Sequence, residues 1–177
     1  VEETGEGDPD APETKFVRID MGGDQPKGRS VVCNEHEGSC RAGIMAANAS
    51  ETGTGAFIGG MDIPLSRRFA CGYAQGAKAA NADITVIANR TGTTGAAWND
   101  PVKGSELTKA QISQGSDVVD AAAGGTGLGV LQTAADEGIL SIGVDSNQNY
   151  LHPGKVLTST LKRVDNAVYK AMLDGTD

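Results

Sequence analysis

The sequence predicts an α/β fold, a parallel sheet with helices on both faces. Three observations carry that reading. Short apolar runs recur at residues 56–60, 84–88, 117–122 and 140–145. The intervals between them are long enough for one helix each and hold apolar residues at helical spacing. Glycine is abundant, 25 of 177 residues, and gathers where strands would turn into helices. A repeated strand, helix, strand order makes parallel neighbours joined by right-handed crossovers, and such a sheet is covered on both faces.

Taken in order, residues 1–14 are acidic and contain Pro and Gly, which reads as a flexible lead-in. Residues 15–20 read as a strand and 30–33 as a second, and residues 39–50 form an Ala-rich helix. The run 56–60 ends in glycines, as a buried strand does before a turn, and Asp62 and Pro64 then signal a helix start. Leu65, Phe69, Tyr73, Gly76 and Ala80 fall on one face of that helix. After the strand at 84–88, Asp100 and Pro101 have the form of an N-cap followed by proline in the first turn, and the helix they open runs to Gln114 and stops at Gly115. The strand at 117–122 leads through a Gly-rich turn to a helix around Leu128, Leu131 and Ala135, closed by Gly138. The strand at 140–145 is followed by a loop to Pro153, a strand at 156–160 and a helix at 163–173.

The net charge is −8, and an acidic surface repels phosphate backbones and anionic headgroups, so neither nucleic acid nor a membrane surface is an expected partner. Cys33, Cys40 and Cys71 show no C-x-x-C spacing. Cys33 and Cys40 have two open readings: a bridge in an oxidising compartment with Cys71 left over, or reduced thiols in packed positions. The sequence holds no signal peptide, apolar membrane-length run or lipidation motif.

Ligands of parallel α/β sheets sit at the carboxyl ends of the strands. That selects residues 59–62, 91–100, 124–129 and 145–148. Gly124 to Gly129 is not a dinucleotide fingerprint, because Val130 stands where its last glycine belongs, and it lacks the Gly-Lys-Ser/Thr end of a P-loop. What remains is a turn that a ligand, or merely another backbone, approaches closely. Trp98, the single tryptophan, lies in a small-residue loop after a strand, where a flat ring serves as packing or as a stacking platform for a planar ligand. Asp145 ends a buried strand and needs partners, which sugar hydroxyls or a backbone cap would supply. Lys162 follows the strand at 156–160 and either reaches the same cleft or is solvated. His36 and His152 lack metal-ligand spacing, and there is no G-x-S-x-G elbow. We therefore expect no catalytic set, no metal and no cofactor.

Together these segments resemble the basic membrane protein family of substrate-binding lipoproteins, which includes purine-nucleoside receptors of ABC-type transporters. The resemblance is carried by Glu37-Gly-Ser39 with Ala46-Ala47, by residues 57–64 (FIGGMDIP), and by Phe69 with Gly72 and Gly76. It continues through Trp98-Asn-Asp100, residues 122–129 (AAGGTGLG), residues 142–145 (IGVD) with Gln148 and Tyr150, and residues 157–163 (LTSTLKR). It implies a two-lobed, hinged fold of the type I periplasmic-binding kind, with a nucleoside in the cleft. By matched motif, Trp98 takes a base-stacking position with Phe69 lining the same pocket, Gly124 lies where backbone meets the base, and Asp145 and Lys162 fall on ribose-contacting positions. The implied partner is the membrane part of an ABC transporter. The implied location is the periplasm or cell surface with a lipid anchor on the full-length protein, and a monomer is expected. The domain reading is a lead-in at 1–14, part of an N-terminal lobe at 15–53, a C-terminal lobe at 54–144, and a hinge return with an N-terminal-lobe segment at 145–177. The family's first N-terminal segment, with its own Asp, Asn and aromatic ligand contacts, has no counterpart in this reading, and Cys33 and Cys40 depart from its pattern. The alternative function is a ligand-sensing regulatory domain of the same fold; an enzyme would need an acid or base and a nucleophile in the cleft.

Overall fold

The computed structural model describes residues 14–23 and 28–175. The lead-in expected at 1–14 lies outside them except for Thr14. The chain divides into two compact units, Val1–Cys33 with Arg163–Asp177, and Asn34–Lys162.

In the smaller unit, strands β1 (Phe16–Ile19) and β2 (Gly28–Val31) pair in parallel, Phe16 opposite Gly28 and Ile19 opposite Val31. The expected strands at 15–20 and 30–33 correspond to these two. Helix α5 (Val164–Asp174) completes the unit. Its C-terminal end is tied down by Lys15 Nζ donating to the Gly175 carbonyl at 3.0 Å and by an ion pair between Arg29 and Asp174.

The larger unit opens with helix α1 (Glu35–Ala49), strand β3 (Thr54–Met61) and helix α2 (Pro64–Ala80). Strand β4 (Thr85–Gly92) follows, then a 3-10 turn at Gly95–Trp98 and helix α3 (Pro101–Ile112). Strand β5 (Val118–Ala122), helix α4 (Thr126–Asp136), strand β6 (Leu140–Asp145) and strand β7 (Val156–Leu161) complete it. The five strands are all parallel and run in the order β4-β3-β5-β6-β7.

Alternation along the central strands explains why both faces are apolar. Phe57 of β3 and Val118 of β5 point toward α1 and α2, packing with Ala42, Ala46, Phe69 and Tyr73. Ala56, Ile58, Val119 and Ala121 point to the opposite face and pack with Val130, Leu131 and Ala134 of α4. Phe57, Ile58, Val118 and Val119 are fully buried; each contributes about 1.5–3 kcal/mol by leaving water. Edge strand β4 has no fully buried residue, as expected of a strand covered less completely.

Helices α1 and α2 meet backbone to backbone. A Cβ built on Gly76 would lie 2.7 Å from the Cys40 carbonyl carbon, and one on Gly43 would lie 2.8 Å from the Ala77 amide nitrogen. The buried face of α2 is Ser66, Phe69, Gly72, Tyr73, Gly76 and Ala77. This corrects the predicted stripe at one end: Ala80 is the last residue of the helix and is exposed. The N-terminal cap of α3 forms as expected, with the Asp100 carboxylate accepting from the Lys103 amide at 2.9 Å. No disulfide joins Cys33, Cys40 or Cys71.

The larger unit is wider than the 54–144 segment expected for one lobe. Helix α1 belongs to it because its small-residue face is buried against α2, and β7 belongs to it because β7 continues the sheet alongside β6.

Candidate functional site

Four of the five residues singled out from the sequence, Trp98, Gly124, Asp145 and Lys162, end or follow strands β4, β5, β6 and β7, and the fifth, Phe69, lies in α2. Besides its own backbone hydrogen bonds, the turn Gly95–Trp98 and the residues beside it are held by three hydrogen bonds that involve side chains. The Thr91 hydroxyl donates to the Ala97 carbonyl at 2.7 Å, and the Thr126 hydroxyl donates to the same carbonyl at 2.8 Å. The Asp100 amide in turn donates to Thr126 Oγ at 2.7 Å. Thr126 is fully buried at the start of α4, so one side chain locks the Trp98 loop to the Gly-rich turn. Its role was not legible in the sequence, where it was one more residue in a Gly-rich run.

The half-buried Trp98 ring lies against Gly60 near the end of β3: a Cβ on Gly60 would come within 2.6 Å of the ring's Cη2 and closer still to Cζ3 and Cε3. Gly124, in the turn after β5, has a φ of 57° and approaches the Trp98 backbone, where a Cβ would meet the carbonyl oxygen at 3.1 Å. That φ belongs to the left-handed region, which glycine occupies without strain. Two glycines thus make the seat of the one tryptophan.

The other three residues gather at the ends of β6 and β7. Asp145 is the last residue of β6, is exposed, and has a φ of 66°, a conformation that Asp and Asn adopt more readily than most residues. Its carbonyl accepts from the Lys162 amide at 2.8 Å. The chain beyond it folds back so that Gln148 Oε1 accepts from the Val144 amide at 2.8 Å, while Ser159 Oγ accepts from the Gln148 amide at 3.0 Å. Lys162 is not a solvated lysine. Its side chain is 9% exposed, and its ammonium lies 5.5 Å from the centroid of the Phe69 ring. Phe69 itself is buried in the core. Because β5 and β6 are neighbours, the turn holding Gly124 and the end holding Asp145 stand side by side on the same edge of the sheet.

Two acidic residues escaped the sequence reading. Glu35, the first residue of α1, has a side chain only 1% exposed; Arg68 Nε donates to its Oε2 at 2.8 Å, and Lys162 Nζ lies 3.8 Å from its Oε1. Asp120 sits in the middle of β5, and burial pushes its carboxyl up to about 7, against the lowering effect of hydrogen bonds from the Ala121 backbone and the Ser39 side chain. At the mouth of β3, Asp62 is exposed and forks with Arg67 at 3.0 and 2.9 Å; those hydrogen bonds hold its carboxyl below the usual range. A groove of about 820 Å³ between α1 and α2, lined in part by His36, Cys40, Arg41 and Cys71, holds none of the five predicted residues.

A parallel sheet with helices on both faces, and with polar and aromatic residues collected at its carboxyl edge, defines a solute-binding domain of the type I periplasmic class. The solved solute-binding protein of an ABC transporter system from Aeropyrum pernix K1 is similar, with a TM-score of 0.85 and 31% identity over 95% of this chain and 50% of that one. Among curated relatives, Basic membrane protein B of Borreliella burgdorferi is 36% identical over 142 residues, 79% of this chain and 40% of its own length. The ABC transporter nucleoside-binding protein BmpA of Lactococcus lactis subsp. cremoris is 35% identical over 176 residues, 89% of this chain and 49% of its own. Residues 4–174 match the model of the Bmp family, described as ABC transporter substrate-binding protein PnrA-like, and the chain belongs to that family. It spans about half or less of the length of these relatives.

Proposed function

We propose that this protein captures a nucleoside, preferring purines, outside the cytoplasmic membrane for uptake by an ABC transporter. The observation that carries the reading is the seat of Trp98 on Gly60 beside Gly124, because a flat ring held at a strand-end cleft is a surface on which a planar base can stack. The Lactococcus relative is named as a nucleoside-binding protein, which supports the same ligand class. In this reading the base stacks on Trp98 and meets the Gly124 backbone. Phe69 closes the apolar wall, and Asp145 and Lys162 hydrogen-bond the ribose. Asp145 suits the task because an exposed carboxylate can accept from two neighbouring hydroxyls. The work is capture and release, with no catalytic residue assigned. Membrane subunits of the transporter are the proposed partners, a monomer the proposed state, and a lipid-anchored position in the periplasm or on the cell surface the proposed location.

Trp98 is the only tryptophan, so its fluorescence reports one site. Titration with inosine, guanosine, adenosine and uridine should give saturable quenching by the purine nucleosides and a weaker response to uridine. A flat response to all four would refute the nucleoside assignment.

A further inference from the structure

Lys162 is a long, flexible side chain whose usefulness to a ligand depends on where its ammonium is held. The two ends of that side chain are fixed by different elements. Its base is fixed by the amide donating to the Asp145 carbonyl at 2.8 Å, at the edge of the sheet. Its tip lies over the Phe69 ring of α2, with the ammonium 5.5 Å from the ring centroid and 3.8 Å from Glu35 Oε1 of α1. The second contact is an ion pair too long to be a hydrogen bond.

Glu35 is unusual for a carboxylate. Its side chain is 1% exposed, and a buried charge persists only when it is compensated. Arg68 supplies a hydrogen bond to one oxygen at 2.8 Å, and the start of α1 adds the favourable end of a helix dipole. The other oxygen, Oε1, is buried with no hydrogen-bond partner, and it is the one nearest Lys162. One carboxylate therefore faces two cations unequally: it is hydrogen-bonded to Arg68, which is 37% exposed, and it attracts Lys162 through space.

We propose that Glu35 is a positioning residue: it does not touch the ligand, but draws the Lys162 ammonium down onto the Phe69 face and so presents it to the sugar of a bound nucleoside. The aromatic face and the carboxylate act together, since a cation held over a ring is attracted to it but free to slide, whereas a fixed anion beside the ring selects one place. Glu35 is thereby a determinant of preference for nucleoside over free base. This inference rests on the nucleoside reading given above.

The test is a double-mutant cycle on the nucleoside-over-base preference, read by Trp98 fluorescence with inosine against hypoxanthine and guanosine against guanine, and with far-UV circular dichroism to verify folding. Glu35→Gln keeps the shape and removes the charge. It should lower the preference about tenfold, within the usual range of coupling between contacting charged residues. The same substitution in a Lys162→Met background should lower it no further than Lys162→Met alone. If Glu35→Gln does not fold, Glu35→Asp, which keeps the charge and withdraws it, should give a smaller loss in the same direction. An unchanged preference in a folded variant overturns the inference, as does an equal loss for nucleosides and bases, or a loss that persists in full without Lys162. Absence of any saturable response from the wild-type protein overturns the nucleoside reading itself and the inference with it, so the two failures are distinct.

Discussion

Gly60→Ala is the sharpest probe of the tryptophan seat. The added methyl would stand 2.6 Å from Trp98 Cη2 and nearer to two other ring carbons. Ordinary carbon contacts begin near 3.5 Å, so the ring must retreat by about 1 Å or more. Gly60 lies in a strand and has no positive φ, so the backbone accepts alanine and the whole cost falls on the ring. Overpacking of this kind costs about 1–3 kcal/mol, and the half-buried Trp98 can relieve part of it by swinging outward, which favours the lower half of that range. For a chain of this size about 1 kcal/mol lowers Tm by roughly 2–4 °C. Displacing the platform should also remove most of the base stacking, about 1–3 kcal/mol, or roughly a 5- to 150-fold loss in nucleoside affinity. Three readings come from one sample: a red-shifted Trp98 emission as the ring meets water, a lowered melting temperature, and a weakened inosine titration. If emission and melting temperature both match the wild type, the ring does not rest on Gly60 and the argument for the seat fails. If both change while inosine affinity does not, the seat is real but the base stacks elsewhere.

Two further outcomes follow from the packing. Gly76→Ala should be more damaging than Gly60→Ala, because its Cβ would meet the backbone of Cys40 rather than a movable ring, and α1 and α2 would have to separate; a loss of about 3 kcal/mol in denaturant unfolding is expected, with Gly95→Ala, whose Cβ meets nothing within 4 Å, as the neutral control. Asp120→Asn should change the pH dependence of stability. The wild-type carboxyl is raised from 3.8 to about 7 by burial. Between those values the folded state keeps a proton that the unfolded chain has released, so stability falls as pH rises through the window and levels off above about 7, by an amount on the order of a few kcal/mol. The asparagine variant lacks that slope, and thermal melts at pH 5 and pH 8 should show a smaller difference for it than for the wild type. Parallel pH profiles for the two proteins would mean that Asp120 is not the group responsible.

Most of the fold was legible because it is written locally. Each parallel strand buried on both faces appears as a continuous apolar run, and each connecting helix declares itself by periodicity and by punctuation such as Asp100–Pro101. The candidate site was legible in part for the same reason: strand ends are where ligands bind, so inspecting them selected Trp98, Gly124 and Asp145. Thr126 and Glu35 escaped, because a threonine in a Gly-rich turn and a glutamate near a helix start are ordinary in sequence. Their meaning comes from the distant groups they touch.

By itself, then, the sequence determined the alternation of strands and helices, the parallel sheet and the residues that end its strands, since these depend on patterns a few residues long. Tertiary structure decided the order β4-β3-β5-β6-β7, the inclusion of α1 and β7 in the larger unit, and the seating of Trp98 on Gly60. It also placed the Lys162 ammonium over the ring of Phe69, 3.8 Å from Glu35 Oε1. Those features depend on which surfaces remain to be covered once the local elements exist, and on the cost of burying a charge without a partner. No short stretch of chain carries that information.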